Sequence, residues 1–461
     1  MSIAISFSSA QRAQRYAWAF PRKLAHPTVV VGGHRGFCAA SAEPPPDSTV
    51  TFEDVSLAAF RIRGKVRMTE CVKSHALSYM TGTELYLKKD LNQFTGSFKE
   101  RGACNALLAL SEEERRAGVC AASAGNHALA LTWHAKQLGV PVTVAMPTIA
   151  PLTKVSRCRS FEAEVLSHGA HIGEAKEYVL QERVGMKYIN GYDDAPIIAG
   201  AGTMAIEILE QVPDVDVLVV PVGGGGLIAG AAVAVKAMKP SVQVIGIEPE
   251  FCASLTAALA AGTPVAPEIV QSTLADGLAV PVVGSRAFRL CQAYVDECLQ
   301  VSELLIALAV LRLVETEKTI SEGGGAAGVA ALLPGGPLDR PSIKGKKVVV
   351  PLCGGNIDTP VLGRVMDRGL AADGRLVRFV VEISDRPGGI SGLSALLEQV
   401  GASIRDIQHE RAWLHTSVDK VHVKCVVETM GEDHNKQIKE ALQAKYPLAW
   451  GTEASATSAL I

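Results

Sequence analysis

Val217-Leu218-Val219-Val220-Pro221-Val222 runs directly into Gly223-Gly224-Gly225-Gly226, and an apolar helix-forming stretch opens at Leu227. An unbroken apolar run has no polar face to give to water, so this strand must be covered on both sides, the condition of a central strand in a parallel sheet. Segments 85–87, 142–146, 244–247 and 348–352 share that character, while 129–139 and 202–212 read as helices between them. Strands alternating with helices predict an α/β architecture.

The four glycines have a chemical use in that setting. Backbone without Cβ atoms lets several N–H groups converge on a phosphate at a helix N-terminus. Gly224-x-Gly226-x-x-Ala229, with Glu248 at a later strand end, also fits the relaxed dinucleotide fingerprint, and a structural glycine turn is the plain alternative. No Gly-Lys-Ser/Thr follows, which excludes a P-loop. Upstream, Lys99 sits in Asn92-Gln93-Phe94-Thr95-Gly96-Ser97-Phe98-Lys99-Glu100-Arg101-Gly102-Ala103, just before an apolar helical repeat at Ala103, Ala106, Leu107 and Leu110. The positive end of a helix and partial burial both disfavour an ammonium, which biases such a lysine toward the neutral amine that condenses with an aldehyde. The plainer alternative is a solvated surface charge.

The string Ser97-Phe98-Lys99-x-Arg101-Gly102-Ala103 resembles the cofactor motif of fold type II pyridoxal-phosphate enzymes, the threonine dehydratase and serine racemase group. Ser123-Ala124-Gly125-Asn126-His127, Gly223-Gly224-Gly225-Gly226-Leu227 and Cys353-Gly354-Gly355-Asn356 follow in the order of that family's substrate loop, phosphate loop and pyridine-nitrogen segment. Four ordered motifs are far more specific than one, and the likeness spans roughly residues 50–365, from which it implies a PLP-dependent catalytic domain. Its implied fold is tryptophan synthase β-like, with two open parallel-sheet subdomains. The smaller, mobile one covers about 92–200 and carries the Asn126 loop; the larger carries the tetraglycine; pyridoxal 5'-phosphate lies between them.

The resemblance also implies roles. Lys99 is the Schiff-base lysine and the base for the α-proton, Phe98 lies against the ring, and Asn126 hydrogen-bonds the phenolic oxygen. Gly223 to Gly226 and Leu227 hold the phosphate, and Cys353 faces the pyridine nitrogen. A neutral thiol there makes a weaker electron sink than a carboxylate partner would, which tends toward β-elimination; taken alone, Cys353 reads as one more buried thiol. Ser123, Ala124, Gly125, Asn126 and the amides through His127 form the substrate carboxylate site, with His127 itself structural. Ala124 stands where serine racemases carry a serine that handles the proton on the opposite face, so racemisation is expected to be poor. Glu322, in Ser321-Glu322-Gly323-Gly324-Gly325-Ala326, matches a segment near the ring. Ser254 replaces a carboxylate of the family's cation site, so no metal is expected.

The implied activity is β-elimination of a hydroxy-amino acid, L-threonine to 2-oxobutanoate and ammonia, or L-serine to pyruvate. A serine racemase or 3-hydroxyaspartate dehydratase is the related alternative, and a non-catalytic amino-acid sensor the alternative of another class. A net charge of −2 gives no polyanion-binding face, and no stretch is long and apolar enough for a bilayer, the best, 304–314, being interrupted by Arg312. Ten cysteines without Cys-x-x-Cys spacing in a 461-residue chain read as reduced thiols.

Residues 1–42 carry Arg12, Arg15, Arg22, Lys23 and Arg35 with several serines, and no acid precedes Glu43. That is the composition of an organellar transit peptide, mitochondrial (matrix) by preference and plastid as the alternative, against a tail that targets nothing. At the other end, a linker at 366–375 precedes strand-like 377–383, helical 389–400, strand-like 403–408 and 421–427, helical 435–443 and a poorly marked last strand. This βαββαβ order over 376–450, with Asp385-Arg386-Pro387-Gly388-Gly389 at the first turn, resembles an ACT domain. Such modules bind amino acids, so an amino-acid or nucleotide effector and a homodimer or homotetramer are implied. Isoleucine-inhibited dehydratases usually carry a pair of these modules; one is legible here.

Overall fold

The computed structural model describes residues 50–267, 271–411 and 418–451. The expected transit segment lies outside them. The described residues pack as two units that divide between Met366 and Asp367.

The first unit holds two sheets. The larger runs, edge to edge, Cys71–Lys73, Glu84–Lys88, Lys347–Pro351, Val217–Pro221, Gln243–Pro249 and Glu297–Val301. All its pairings are parallel except at the Cys71–Lys73 edge, so the expected open parallel sheet carries one antiparallel edge strand. The unbroken apolar character of Val217–Pro221 is explained by what covers it. Leu218 and Val220 face a core built on helices Ala195–Gln211 and Gly226–Met238, while Val217 and Val219 face one built on Glu303–Glu317 and Gly323–Leu332. Every residue of the strand is buried, which strand alternation permits only when both faces are packed.

The smaller sheet is wholly parallel, in the order Glu164–Ser167, Val142–Met146, Val119–Ala122 and Lys187–Tyr188. Val119 and Ala121 pack on the helix Asn126–Leu138, and Cys120 on the other face with Ala175 and Val179. Helix Ala195–Gln211 spans the expected limit of this subdomain near residue 200: Ile197 packs in the small-sheet core, and Ile198 with the residues after it in the core of the larger sheet.

Residues 304–314 lie in helix Glu303–Glu317, whose Arg312 is buried and paired with Glu315 at 2.9 Å. Among the described residues no helix is long and apolar enough to cross a membrane. The nine described cysteines are free thiols.

In the second unit the elements run Leu376–Ser384, Gly389–Gln399, Ser403–Glu410, Lys420–Glu428, Glu432–Gln443 and Leu448–Trp450, the βαββαβ order. The sheet is antiparallel, with Leu376–Ser384 central between Lys420–Glu428 and Leu448–Trp450. Val421, Val423, Cys425 and Val427 point to the two helices and alternate with more exposed residues, the pattern of a sheet covered on one face. The last strand has three residues and is anchored by Trp450 stacked on Phe379 at 5.8 Å, too short for any periodicity to mark it. The expected linker needs correction: helix Thr359–Ala372 occupies most of it, and a turn at Gly374, with φ of +68°, follows.

Candidate active site

Lys99 opens the helix Lys99–Leu108 after a turn at Gly96. That turn is sewn to the end of strand Lys347–Pro351: Phe98 N donates to Cys353 O at 2.9 Å, and Gly355 N to Gly96 O at 3.0 Å. The two motifs, about 250 residues apart, are therefore neighbours through main-chain bonds, as such loops at strand C-termini commonly are. Lys99 is half-buried, and desolvation of its amine pulls the ammonium down to about 8, with Cys353 and Glu322 opposing. Its Nζ donates to Gly191 O at 2.7 Å and lies 5.1 Å from the centre of the Phe98 ring. Two residues on, Arg101 is fully buried between Asp90 and Glu207, at 2.6 Å from each, and Lys88 also pairs with Glu207 at 2.6 Å. This ionic cluster ties the lysine helix to the larger sheet and to helix Ala195–Gln211.

The tetraglycine leads from strand Val217–Pro221 to helix Gly226–Met238, with Gly225 at φ of +87° as its N-cap. No side chain caps that helix, so its first amides are available to an anion. Glycine is required here by the protein as well as by any ligand. A Cβ on Gly224 would lie 2.3 Å from the Tyr192 ring, and one on Gly226 2.2 Å from Tyr192 O. Gly223 packs on Leu278, and Leu227 is buried in the first turn.

Across from it, Ser123 Oγ accepts from Gly125 N at 3.3 Å, and Gly125 caps helix Asn126–Leu138. Ala124 packs at the edge of the small-sheet core. His127 is buried, and burial first and Lys99 second take its pKa down to about 3. The neutral ring donates from Nε2 to Ile189 O at 3.2 Å, which leaves Nδ1 the acceptor nitrogen. Asn126 donates from Nδ2 to Glu322 Oε1 at 2.6 Å and accepts at Oδ1 from Asn356 Nδ2 at 2.8 Å. Glu322 is pushed up to about 7, by burial foremost and then by Asp276, with the Asn126 bond opposing. Cys353 is held as a neutral thiol, raised well above its ordinary range by burial, and Sγ donates to Pro351 O at 3.4 Å.

Thus the structure brings Lys99, Phe98, Asn126, His127, Glu322 and Cys353 within one connected set of contacts. Tyr192, with Gly191, joins the lysine to the tetraglycine. Gly191, Tyr192 and Asn356 are the residues that sequence reasoning gave no role. Asn356 stood at the end of a quoted motif, whereas nothing in the polar run 190–194 marks Tyr192.

The sequence matches the pyridoxal-phosphate dependent enzyme family over residues 62–354, which takes in every one of these site residues except Asn356. The chain belongs to that family. It is 42% identical over 398 residues to an L-threonine ammonia-lyase of Thermotoga maritima, covering 86% of this chain and 98% of the relative. An L-threonine ammonia-lyase of Geobacter sulfurreducens is 39% identical over 385 residues, covering 83% and 94%. Among solved structures, the processed form of threonine deaminase isoform 2 from Solanum lycopersicum is similar with a TM-score of 0.65 and 31% identity, over 71% of this chain and 97% of that one. The serine racemase of Dictyostelium discoideum gives 0.63 and 34%, over 67% and 99%.

The residues present fit this family's cofactor. A half-buried lysine whose ammonium is lowered to about 8 suits an aldehyde, an uncapped glycine-rich helix start suits a phosphate, and a neutral thiol suits an unprotonated ring nitrogen. The buried Ser97 Oγ and Thr95 Oγ1 have no hydrogen-bond partner among the described residues, which leaves polar groups for a ligand beside Lys99.

Proposed function

We propose that this chain is a threonine ammonia-lyase, eliminating the β-hydroxyl of L-threonine to give 2-oxobutanoate and ammonia, with L-serine giving pyruvate. The observation that carries this is Lys99 itself, a desolvated amine lowered to about 8 beside a substrate loop in which alanine, not a proton carrier, occupies position 124. Bound pyridoxal phosphate supplies an aldehyde for the lysine and an electron sink for the substrate α-carbon. Lys99 then serves as the base on one face. Ser123 and the loop amides hold the carboxylate, the tetraglycine and Leu227 hold the phosphate, and Phe98 covers the ring. Asn126 serves the phenolic oxygen, and Cys353 as a neutral thiol leaves the ring nitrogen unprotonated. Incubating the holoenzyme with L-threonine, L-serine and 3-hydroxyaspartate, and following keto acid together with the chirality of residual substrate, tests the assignment. Keto acid from L-threonine without D-isomers is the expected result.

The second unit we read as an ACT-like regulatory domain that takes an amino-acid effector. What supports this is a cavity at its first turn, lined by Asp385, Arg386, Gly388, Gly389, His409 and Arg411, where Arg411 Nε reaches Asp385 at 2.9 and 3.0 Å. Opposed charges beside loop amides match the charged ends of an amino acid. The aligned length with the Thermotoga relative, 398 residues, exceeds what residues 62–354 can hold, so that relative extends beyond the catalytic region. The arginine-bearing first 42 residues support mitochondrial import. A homodimer or homotetramer completes the proposal.

A further inference from the structure

Asn356 makes side-chain bonds to three different segments, and their chemistry leaves it one orientation. Arg157, on helix Leu152–Ser160, donates from Nη1 to Asn356 Oδ1 at 3.1 Å. A guanidinium only donates, so the group facing it must be the amide oxygen. Asn356 Nδ2 donates to Thr95 O at 2.7 Å, and a backbone carbonyl only accepts, so the group facing it must be the amide nitrogen. Both ends of this side chain are fixed by partners that cannot change role. The same Nδ2 donates to Asn126 Oδ1 at 2.8 Å. Asn126 is thereby obliged to turn its own Nδ2 the other way, where it meets Glu322 Oε1 at 2.6 Å with a second hydrogen to spare.

We propose that Asn356 is a positioning residue that fixes which end of the Asn126 amide faces the cofactor. The polarity runs in one direction, from Arg157 through Asn356 and Asn126 to Glu322. It presents a donor, not an acceptor, to the anionic phenolic oxygen that Asn126 serves. An Asn126 turned over would set its carbonyl oxygen against that anion and against the Glu322 carboxyl. Because Arg157 and Asn126 belong to the part built on the smaller sheet, and Asn356 and Glu322 to the part built on the larger, the chain of bonds is complete only when the two lie together. The inference rests on the assignment of Asn126 to the phenolic oxygen.

Asn356→Asp tests it, since it keeps the size of the side chain and removes its only donor. Reconstitution of the apoprotein with pyridoxal phosphate should give a dissociation constant raised tenfold or more and a displaced visible absorbance band, with the apoprotein melting within a few degrees of wild type. Asn126→Ala, measured alongside, separates the two claims. If Asn126→Ala leaves affinity and band as in wild type, the assignment of Asn126 is wrong and the inference goes with it. If Asn126→Ala moves both and Asn356→Asp moves neither, the relay alone is overturned. Should Asn356→Asp not fold, Asn356→Ala carries the test, since it removes the donor to Asn126 Oδ1 without adding charge: about threefold or more weaker cofactor binding supports the relay, and unchanged binding overturns it.

Discussion

Lys99 donates its Nζ hydrogen to Gly191 O while burial pulls its ammonium down to about 8, so the amine is prepared by its surroundings before any cofactor arrives. Two consequences can be measured. Replacing Lys99 by alanine should lower keto-acid formation by about 1,000-fold or more and remove the visible band, because base and covalent anchor are lost together. In the apoprotein, the rate at which this amine condenses with an aldehyde should rise with pH to a midpoint near 8, not near the ordinary 10.5, followed by the appearance of the band. Glu322 makes an opposite prediction for stability. Its carboxyl is raised from 4.5 to about 7, so the folded apoprotein holds this proton more tightly than the unfolded chain. That stabilisation is complete below pH 4.5 and is lost as pH rises through 7, by roughly 3 kcal/mol at most. Glu322→Gln should remove this component from a denaturation series across pH 4 to 8. At the opposite wall, Ala124→Ser should restore a proton carrier, and D-serine formation should rise from a low background as keto-acid production falls.

At the scale of elements, the glycine turn after Val217–Pro221 and the start of the lysine helix are held by different physics. The turn is shaped by close contact: any Cβ at Gly224 runs into the Tyr192 ring. Gly224→Ala should therefore cost about 1 to 3 kcal/mol of stability, the usual range for overpacking, and weaken cofactor binding as Tyr192 is displaced. The lysine helix is held by charge. Arg101, Asp90, Glu207 and Lys88 are buried or nearly so, and their bonds converge at the first turn after Lys99. Arg101→Met leaves the buried Asp90 carboxylate without its ion-pair partner, while Glu207 keeps Lys88, so it should cost about 3 to 5 kcal/mol, read as a fall in melting temperature.

For the whole molecule, the division between Met366 and Asp367 falls inside helix Thr359–Ala372, so a truncation should end after Ala372 to keep that helix intact. The first unit contains both sheets and all the site residues, and its cores are made of its own side chains. The truncated chain should bind pyridoxal phosphate with unchanged absorbance and lose any response to amino-acid effectors. Effector titration and sedimentation of full-length and truncated protein check this; a full-length enzyme that answers to no amino acid, yet loses its assembly on truncation, would leave subunit contact as the second unit's role.

Much was legible in the chain because it is written locally. The apolar runs at 217–222 and 348–352 mark buried strands, and the tetraglycine and the Cys353 segment sit where those strands end, since a strand buried on both faces allows few residue types and a turn at its end fewer still. Lys187–Tyr188 escaped and Leu448–Trp450 was only poorly marked, because two or three residues carry no periodicity. The true starts of helices Asn126–Leu138 and Ala195–Gln211 also lay earlier than their apolar patterns suggested, although Ala128, Ile197 and Ile198 near those starts are buried in the cores. What folding alone decided is how residues distant in the chain meet: Tyr192 on Gly224, Gly191 under Lys99, and Asn356 between Arg157 and Asn126. Those contacts depend on side chains brought together by sheet order, and a hydrogen bond between residues 230 positions apart leaves no mark on the sequence around either one.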